Sequence, residues 1–427
     1  MHEKGASQAE HDSISQHYWK RDLEKMKDER GSLLLVGMDL VGLALSVKKA
    51  GYKIYAADYF GDLDLRKVCD GCLSVIDQKA GESAGRIEDN FDPHDFVEMA
   101  RVFSEKEEID GALLSSGLED SFDVLEELDG LVGIIGNPPE TIRRVRDKGS
   151  FFGELNRLGI PHPHTTLVED FEEAKTAATD TGYPVILKPT EGFSGFGVRK
   201  AGDRSQLERI FHEIKPTADG VLVQEFIVGV NASVSFVASS TRARALSVNE
   251  QLLGLSEVHQ EEPFGYCGNI VPLDIPDPTL TRCDAIVKKV SASFKLRGSN
   301  GIDIVISEEG IPHVIEVNPR FQGSLECVER VLGMNLVEIH VEASTTGDIP
   351  PKLCRPSGFS ARLITYAPRR LSAPDLASEV WARDIPFPGS IVEKGEPLCS
   401  VVLDGESRSD AWKKALVKAQ HVYDSSE

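Results

Sequence analysis

The segment GIDIVISEEGIPHVIEVNPRFQGS, residues 301–324, contains two apolar runs separated by a short turn with a glycine. The alternation within each run predicts two antiparallel strands. Side chains two residues apart share one face of a strand, so Glu316, Asn318 and Arg320 are expected on the same face. Asp303, on the first strand, can then lie opposite Glu316. The hairpin therefore predicts a mixed α+β region with one charged sheet face.

The side chains on that face favour metal and phosphate chemistry. Mg²⁺ binds through one or two carboxylates and is completed by substrate phosphates and water. Two carboxylates as close as Asp303 and Glu316 would repel each other without a cation. Arg320 can hold a carboxylate or a transferring phosphoryl group with two hydrogen bonds. We predict a metal site at Asp303, Glu316 and Asn318 beside Arg320; the alternative is a surface hairpin with a solvated polar face.

Upstream, the segment YPVILKPTEGFSGFGV at residues 183–198 places one lysine, Lys188, at the end of an apolar strand and before a glycine-rich loop. Glycines allow backbone N–H groups to converge on an anion, and the lysine adds a point charge. The lysine precedes the glycines, so this is not a Walker A motif. We predict a phosphate cover, and the alternative is a hairpin loop beside a solvated lysine. The loop residues of interest are Gly192, Ser194, Gly195 and Gly197.

The segment VLVQEFIVG, residues 221–229, is an apolar strand that ends at an acid, an aromatic residue and a glycine. Such a strand could pass beneath a planar base and offer backbone groups and a carboxylate to its edge. The alternative is a core strand that ends in a surface turn, because such a strand would have the same pattern of residues. The candidate ligand contacts are Gln224, Glu225, Phe226 and Ile227.

Working outward, Ser32 to Asp58 has the strand, helix and strand pattern of a parallel sheet. Its glycines at 37 and 42 give only GxxxxG, so a glycine-closed turn is favoured over a dinucleotide site. Prolines mark the later boundaries. The predicted organisation is a polar arm at 1–31, a parallel-sheet domain at 32–145, a central domain at 146–352 with a substantial antiparallel sheet, and a small C-terminal domain at 353–427.

Composition limits the function classes. The 427 residues carry 47 Lys+Arg against 69 Asp+Glu, a formal net charge of −22, which disfavours nucleic acid and anionic membranes as partners. No secretory pattern or long apolar window is present, so we expect a cytoplasmic protein. The seven cysteines form no dense framework. Cys69 and Cys72 form a CxxC pair without a second ligand pair, so metal or redox chemistry there is a minor hypothesis.

Taken together and in chain order, these motifs resemble the ATP-grasp superfamily, in particular its carboxylate-amine ligase and biotin-carboxylase-like branch. The resemblance covers about residues 32–420. It implies an α/β and α+β chain with an N-terminal pre-ATP-grasp domain, a two-lobed central ATP-grasp domain and a C-terminal domain similar to the last domain of biotin carboxylase. It also implies ATP and Mg²⁺ as cofactors, with Mn²⁺ as an alternative ion, and a homodimer.

The resemblance assigns roles to single residues. Lys148 and Lys188 look like the two lysines that contact ATP phosphates, and the loop from 192 to 197 looks like the cover that closes over them. Residues 225–227 are similar to the adenine-binding strand, and Asp303, Glu316 and Asn318 match the magnesium positions. Arg320 matches the arginine that stabilises an acyl phosphate. Where the family often carries a glutamate after Gly229, this chain has Val-Asn-Ala, which makes Asn231 a substitute candidate for ribose contact.

The expected activity is ADP-forming ligation of a small carboxylate to an amine through an acyl phosphate. Two alternatives stay open, a bicarbonate-activating carboxylase and a nucleotide-binding regulatory protein without catalysis. The segment from His259 to Asn269 is a candidate wall of the acceptor pocket, with Tyr266 among its polar groups, and an ordinary surface loop is the competing interpretation.

Overall fold

The computed structural model describes residues 30–192, 194–218, 220–351 and 355–426. The predicted polar arm, apart from Arg30 and Gly31, lies outside these ranges, as does Cys354. The strands are β1 Ser32–Gly37, β2 Lys53–Asp58, β3 Gly71–Ser74, β4 Gly111–Leu114, β5 Thr165–Val168, β6 Val185–Pro189, β7 Arg199–Ala201, β8 Val221–Glu225, β9 Gly229–Ala238, β10 Ala243–Leu253, β11 Tyr266–Val271, β12 Gly298–Ser307, β13 Pro312–Asn318, β14 Phe359–Tyr366, β15 Leu371–Ser372, β16 Ala382–Arg383, β17 Ile391–Val392 and β18 Pro397–Gly405.

Helices cover these strands. The α-helices are α1 Val41–Lys49, α2 Leu63–Val68, α3 Ile87–Asn90, α4 His94–Lys106, α5 Phe122–Val132, α6 Pro139–Arg146, α7 Lys148–Leu158, α8 Phe171–Thr181, α9 Arg204–Ile214, α10 Asp277–Phe294, α11 Leu325–Leu332, α12 Leu336–Thr345 and α13 Arg408–Asp424. Short 3₁₀ turns lie at Lys215–Thr217 and Ser256–Val258. Within the described ranges, none of the helices combines the length and the apolar character needed to cross a bilayer.

The N-terminal sheet is parallel, with the strand order β3-β2-β1-β4 in the described chain. Strand β1 is apolar and buried from Leu33 to Val36, as expected for a strand of a parallel sheet that is covered on both faces. Loops at the carboxyl ends of such strands are the usual ligand-binding edge of an open α/β sheet. Here Asp39 follows β1, Tyr59 follows β2 and Ser116 follows β4, and all three line the cleft described below.

The central region contains a small and a large antiparallel sheet. In the small sheet, the described strands run in the order β5-β8-β6-β7, and helices α8 and α9 pack on the sheet through alanines, leucine and phenylalanine. Lys188 lies near the end of β6 and Gln224 near the end of β8, on neighbouring strands. The small sheet thus carries both the predicted phosphate lysine and the predicted base-binding strand.

The large sheet has the order β13-β12-β9-β10-β11-β14-β18-β16 in the described residues. Strands β12 and β13 pair in antiparallel register with Asp303 opposite Glu316, and a bulge follows Asp303. The C-terminal strand β14 hydrogen-bonds to β11, so one continuous sheet crosses the predicted boundary between 352 and 353. The mixed α/β and α+β architecture predicted from the sequence is confirmed, and helix α13 covers the C-terminal strands.

Candidate functional site

A cleft of about 450 Å³ lies between the N-terminal sheet, the small sheet and the large sheet. It gathers nearly all of the residues that the sequence motifs singled out. Gly197 does not line the cleft, although its neighbours do. The predicted residues that line it are Lys148, Lys188, Gly192, Ser194, Gly195, Gln224, Glu225, Phe226, Ile227, Asn231, Asp303, Glu316, Asn318 and Arg320.

The paired carboxylates of the β12–β13 hairpin form the floor of one end. Gln251 Nε2 donates to Asp303 Oδ1 at 2.9 Å, and Asn318 Nδ2 donates to Asp303 Oδ2 at 3.1 Å. Burial, together with the charge of Glu316, raises the pKa of Asp303 to about 7. Burial also raises the pKa of Glu316, but Lys148, Arg146 and Lys188 outweigh it and lower the value to about 2. The pair therefore carries less than its full negative charge near neutral pH.

The donor set fits a hard divalent cation. Two carboxylates and the amide oxygen of Asn318 are oxygen ligands on one sheet face, and a cation would relieve the repulsion that raises the pKa of Asp303. In the described part of the chain, no three His, Cys, Asp or Glu side chains are grouped as a metal site. Phosphates and water would have to complete the coordination, as is usual for Mg²⁺.

Basic side chains surround this pair. Lys148 Nζ lies 3.3 Å from Glu316 Oε2, and an Arg146 nitrogen lies 3.9 Å from the same oxygen. Arg146 is held by two hydrogen bonds of 2.7 Å to the Asp120 carboxylate. Burial, and then the charge of Lys148, lowers the pKa of Lys188 to about 8. Crowded cations of this kind would be stabilised by an anionic ligand.

Arg320 is fixed by a residue that the sequence patterns did not reveal. Its Nε donates to Glu119 Oε1 at 2.5 Å, and its guanidinium also donates to the carbonyl of Phe321 at 2.9 Å. Glu119 is held in turn by the backbone N–H of Gly117 at 2.8 Å. Burial raises the pKa of Glu119, but Arg320 and Arg146 outweigh it and lower the pKa overall. The N-terminal sheet thus positions the arginine of the central hairpin.

The glycine-rich loop is anchored on the segment before β11. The carbonyl of Ser194 accepts a hydrogen bond from the Tyr266 backbone N–H at 2.9 Å. At Gly195 the backbone φ is +77°, and an added Cβ would lie 2.0 Å from the carbonyl oxygen of Phe264. A side chain at this position would force the two backbones apart, so the close contact of loop and segment requires glycine.

In the predicted base-binding strand, the side chains of Gln224 and Glu225 are hydrogen-bonded to neighbouring protein groups, although the sequence predicted that they contact the base. Gln224 is buried and donates to the Thr165 hydroxyl at 2.8 Å. The carboxylate of Glu225 accepts from the backbone N–H of His164 at 3.1 Å, so it already has a local partner. Lys200 lies over the ring of Phe226, 3.6 Å from its centroid. The residues that follow β8 line the cleft, where their backbone can be reached.

The opposite end of the cleft contains charged residues that the sequence patterns missed. Arg362 donates to Asp39 at 2.7 and 3.0 Å and to Asp384 at 2.7 Å, and Asp62 and Glu396 line the same end. We call Asp39, Asp62, Asp384, Glu396 and Arg362 the acidic end. We call Arg146, Lys148, Lys188 and Arg320, with Asp303 and Glu316, the basic end. The sequence signal that could have indicated Arg362 is the presence of an arginine within the apolar pattern of β14.

The structure also bears on two minor hypotheses from the sequence, the segment 259–269 as a wall of the acceptor pocket and the pair Cys69 and Cys72 as a metal or redox site. His259 is exposed and packs edge-on against Tyr423, with ring centroids 4.7 Å apart, so the expectation that it lines the cleft was wrong. Tyr266 does line the cleft, and its hydroxyl accepts from Asn269 at 2.7 Å. Cys69 and Cys72 are free thiols, and burial raises the pKa of both, which makes them poor thiolates.

Comparison with known proteins shows which family the central part of this chain matches. Residues 145–324 match the ATP-grasp domain, and this range contains the whole basic end. This match confirms, for that part of the chain, the resemblance of the motifs to the ATP-grasp superfamily. An uncharacterized protein of Methanocaldococcus jannaschii is 26% identical over 379 residues, covering 86% of this chain and 87% of that protein.

Further similarity extends to larger enzymes and to solved structures. The arginine-specific large chain of carbamoyl phosphate synthase from Eremothecium gossypii is 26% identical over 293 residues, which are 62% of this chain but only 26% of the synthase. The biotin carboxylase domain of Hydrogenobacter thermophilus 2-oxoglutarate carboxylase, solved with MgADP and bicarbonate, superposes with a TM-score of 0.70 at 16% identity, covering 93% of this chain and 90% of that domain. L-amino acid ligase from Bacillus licheniformis superposes with a TM-score of 0.65 at 15% identity, covering 93% of this chain and 98% of the ligase. These likenesses show a shared fold.

Proposed function

We propose that this chain is an ATP-dependent ligase that phosphorylates a small carboxylate and joins the resulting acyl phosphate to an amine. The observation that carries the proposal is the basic end, where four cations surround the Asp303–Glu316 pair. A protein that only binds a nucleotide has no need of an arginine beside two metal-ligating carboxylates. The solved L-amino acid ligase of the same fold supports this class of reaction.

Each part of the cleft would have a separate task. Lys148 and Lys188 would contact the phosphates of ATP, and the loop around Gly195 would cover them and exclude water. The chain after Glu225 would receive the base, with Asn231 near the ribose. Asp303, Glu316 and Asn318 would hold Mg²⁺, which would neutralise phosphate charge when bound. Positioning and charge neutralisation are the main contributions that a protein makes to phosphoryl transfer.

Arg320 would act on the second substrate. Its guanidinium, oriented by Glu119, would hold the carboxylate in line with the terminal phosphate. A carboxylate oxygen would attack the γ-phosphorus, and ADP would leave. The amine would then attack the acyl carbon and release phosphate, and the proton lost from the amine would go to phosphate or solvent. No side-chain nucleophile is required in this sequence of steps.

The test is ADP formation with MgATP against pools of amino acids, amines and small carboxylic acids. Hydroxylamine in a parallel reaction would trap an acyl phosphate as a hydroxamate. We expect a stimulated rate that falls about a hundredfold or more in Glu316→Gln and in Arg320→Lys. Glu126→Gln, an exposed partner of Arg143, is the matched control and should leave the rate unchanged. Tight ATP binding without stimulation, surviving both site variants, would instead indicate a regulatory nucleotide binder.

A second candidate is activation of bicarbonate, because the carboxylase domain of this fold was solved with bicarbonate. The same basic end would then phosphorylate bicarbonate in place of an organic acid. Stimulation of ADP formation by bicarbonate in the absence of any organic carboxylate would select this candidate. Stimulation only by an organic acid, together with a hydroxamate product, would select the ligase.

A further inference from the structure

The acidic end is a distinct part of the cleft, formed where the chain after β2 meets the chain around β16 and β18. One wall is apolar and contains Ile76, Ile87, Val392 and Leu398, and two aromatic residues, Tyr59 and Phe60, lie beside the acids. This combination of an apolar wall with a few polar groups is typical of a small-molecule site. None of these residues has a role in the reaction steps assigned to the basic end.

The carboxylates at this end outnumber their positive partners. Asp62 is buried at 7% exposure, and among the described residues its side chain pairs with no lysine or arginine. Gln78 Nε2 donates to it at 3.3 Å. Asp384 shares the single guanidinium of Arg362 with Asp39. Four carboxylates against one guanidinium give this end a negative charge when all five groups are ionised, and burial, followed by the charges of neighbouring acids, raises the pKa of Asp62. A cationic ligand would balance the charge and favour the ionised form of Asp62.

Two further carboxylates lie behind this surface and increase the imbalance. Burial, followed by the charge of Asp384, raises the pKa of Asp64 to about 6. Burial opposed by hydrogen bonds from the backbone leaves the pKa of Asp58 at about 7. Neither group forms an ion pair with a basic side chain in the described part of the chain. The group of acids without basic partners therefore extends beyond the lining residues, and a bound cation would favour their ionised forms.

The Tyr59 side chain provides an independent sign of a missing ligand. It is 1% exposed and lines the cleft, yet its hydroxyl has no hydrogen-bond partner among the described residues. A buried hydroxyl without a partner is costly. The ring contacts Phe60 edge-on, with centroids 4.9 Å apart. An ammonium group could donate to the Tyr59 oxygen and also interact with the faces of the aromatic rings.

The chemistry of the wall favours an organic cation over a metal ion. The apolar wall would gain nothing from a hydrated metal ion, whereas it would bury the carbon chain of an alkylammonium. One small amine could therefore pair its ammonium group with the carboxylates and also pack its carbon chain against the apolar wall.

We infer that the acidic end binds the amine substrate as a small primary alkylammonium, with its charged group at Asp62 and Tyr59 and its carbon chain along the apolar wall. For ligation the ammonium would first transfer one proton to the Asp62 carboxylate, and the neutral amine would then attack the acyl carbon and lose its second proton to phosphate or solvent. This inference rests on the proposed ligation and supplies the class of its acceptor.

The test is calorimetric titration of the full chain with four probes: n-butylamine, 1,4-diaminobutane, neutral n-butanol and anionic butyrate. We expect the two amines to bind at least about tenfold more tightly than n-butanol and butyrate. Asp62→Asn and Tyr59→Phe should each weaken amine binding, Asp62→Asn by about tenfold or more. Asp77→Asn, an exposed aspartate of the same segment with 75% side-chain exposure, is the matched control and should bind amines as the wild type does.

MgADP binding, measured on the same samples, separates this inference from the proposed function. The inference would be overturned if amine binding were absent up to about 10 mM, equal for amine and alcohol, or unchanged in Asp62→Asn. If MgADP still bound in that case, the ligase proposal would stand. Amine binding with no MgADP binding would support the inference on the pocket and contradict the ligase. Intact MgADP affinity in Asp62→Asn also shows that this variant is folded.

Discussion

The two ends of the cleft differ in how their charges are held. At the basic end, Arg146 and Arg320 form ion pairs with Asp120 and Glu119 of the loop after β4, and Lys148 pairs with Glu316. The four cations and the Asp303–Glu316 pair lie within residues 145–324, the range that matches the ATP-grasp domain. At the acidic end, carboxylates come from loops outside that range, and Arg362 pairs with only two of them, Asp39 and Asp384. The difference teaches that the residues within the ATP-grasp match line one end of the cleft, and that the acids at the other end come from parts of the chain outside this match.

The largest expected effect belongs to the basic end. In Lys188→Met, the substrate-dependent rate of ADP formation should fall about a hundredfold, because a half-buried cation beside Lys148 is lost from the phosphate site. Steady-state kinetics measure this, with Lys175→Met on the exposed face of α8 as the control. A loss below threefold would mean that the basic end does not contact the phosphates.

A stability measurement tests whether ionisation of Asp58, the buried carboxylate behind the acidic end, destabilises the folded protein. The pKa of Asp58 is about 7 in the folded protein and 3.8 in an unfolded chain, so the folded state binds more protons between these values. Its contribution to stability is therefore lost as the pH rises from about 4 to about 7. Asp58→Asn keeps an oxygen for the Gly61 N–H and should raise the free energy of unfolding at pH 7.5 by of order 2 kcal/mol.

The measurement is urea unfolding of wild type and Asp58→Asn at pH 5 and pH 7.5. Because both proteins share every other titrating group, the difference between them isolates Asp58. A stabilisation of equal size at both pH values would show that removal of charge is not the cause.

A smaller effect tests the link between the N-terminal sheet and Arg320. Glu119→Gln keeps the shape but weakens the charge-assisted hydrogen bond to Arg320 Nε, so kcat should fall about tenfold while the KM for ATP stays unchanged. Glu126→Gln again serves as the control. An increase in the KM for ATP without a change in kcat would place Arg320 on the nucleotide instead of on the carboxylate.

The smallest effect is expected at the base-binding strand. The Glu225 carboxylate already accepts from His164 N–H, and a glutamine oxygen can accept the same bond, so Glu225→Gln should change ATP affinity by less than about threefold. Fluorescence competition with a labelled nucleotide measures this. A loss of tenfold or more would show that the carboxylate leaves His164 to contact the base.

The sequence predicted those features that depend on local patterns. Alternation in two adjacent runs was enough to place Asp303 opposite Glu316, because the turn between the runs is short and the side-chain period of a strand is two. The parallel start at β1 and β2 followed from a short apolar run, a helix and a second run. The lysine and glycines of residues 183–198 likewise needed no information beyond their own spacing.

The acidic end could not be predicted in this way. Arg362 and Asp39 are 323 residues apart in the chain, and Arg320 and Glu119 are 201 apart, so no local pattern joins them. Tertiary packing brings them together. The same holds for β14, whose pairing with β11 joins the C-terminal strands to the central sheet, although the proline-rich stretch before β14 suggested a separate domain.

The most direct test of the assigned roles is the affinity of ADP with and without Mg²⁺. In the wild type we expect Mg²⁺ to strengthen ADP binding. In Glu316→Gln this gain should disappear, while metal-free ADP should bind at least as well, because a negative charge facing the phosphates is removed. In Asp62→Asn both affinities should equal those of the wild type. A Glu316→Gln variant that keeps the full magnesium-dependent gain would contradict the assignment of the basic end as the MgATP site.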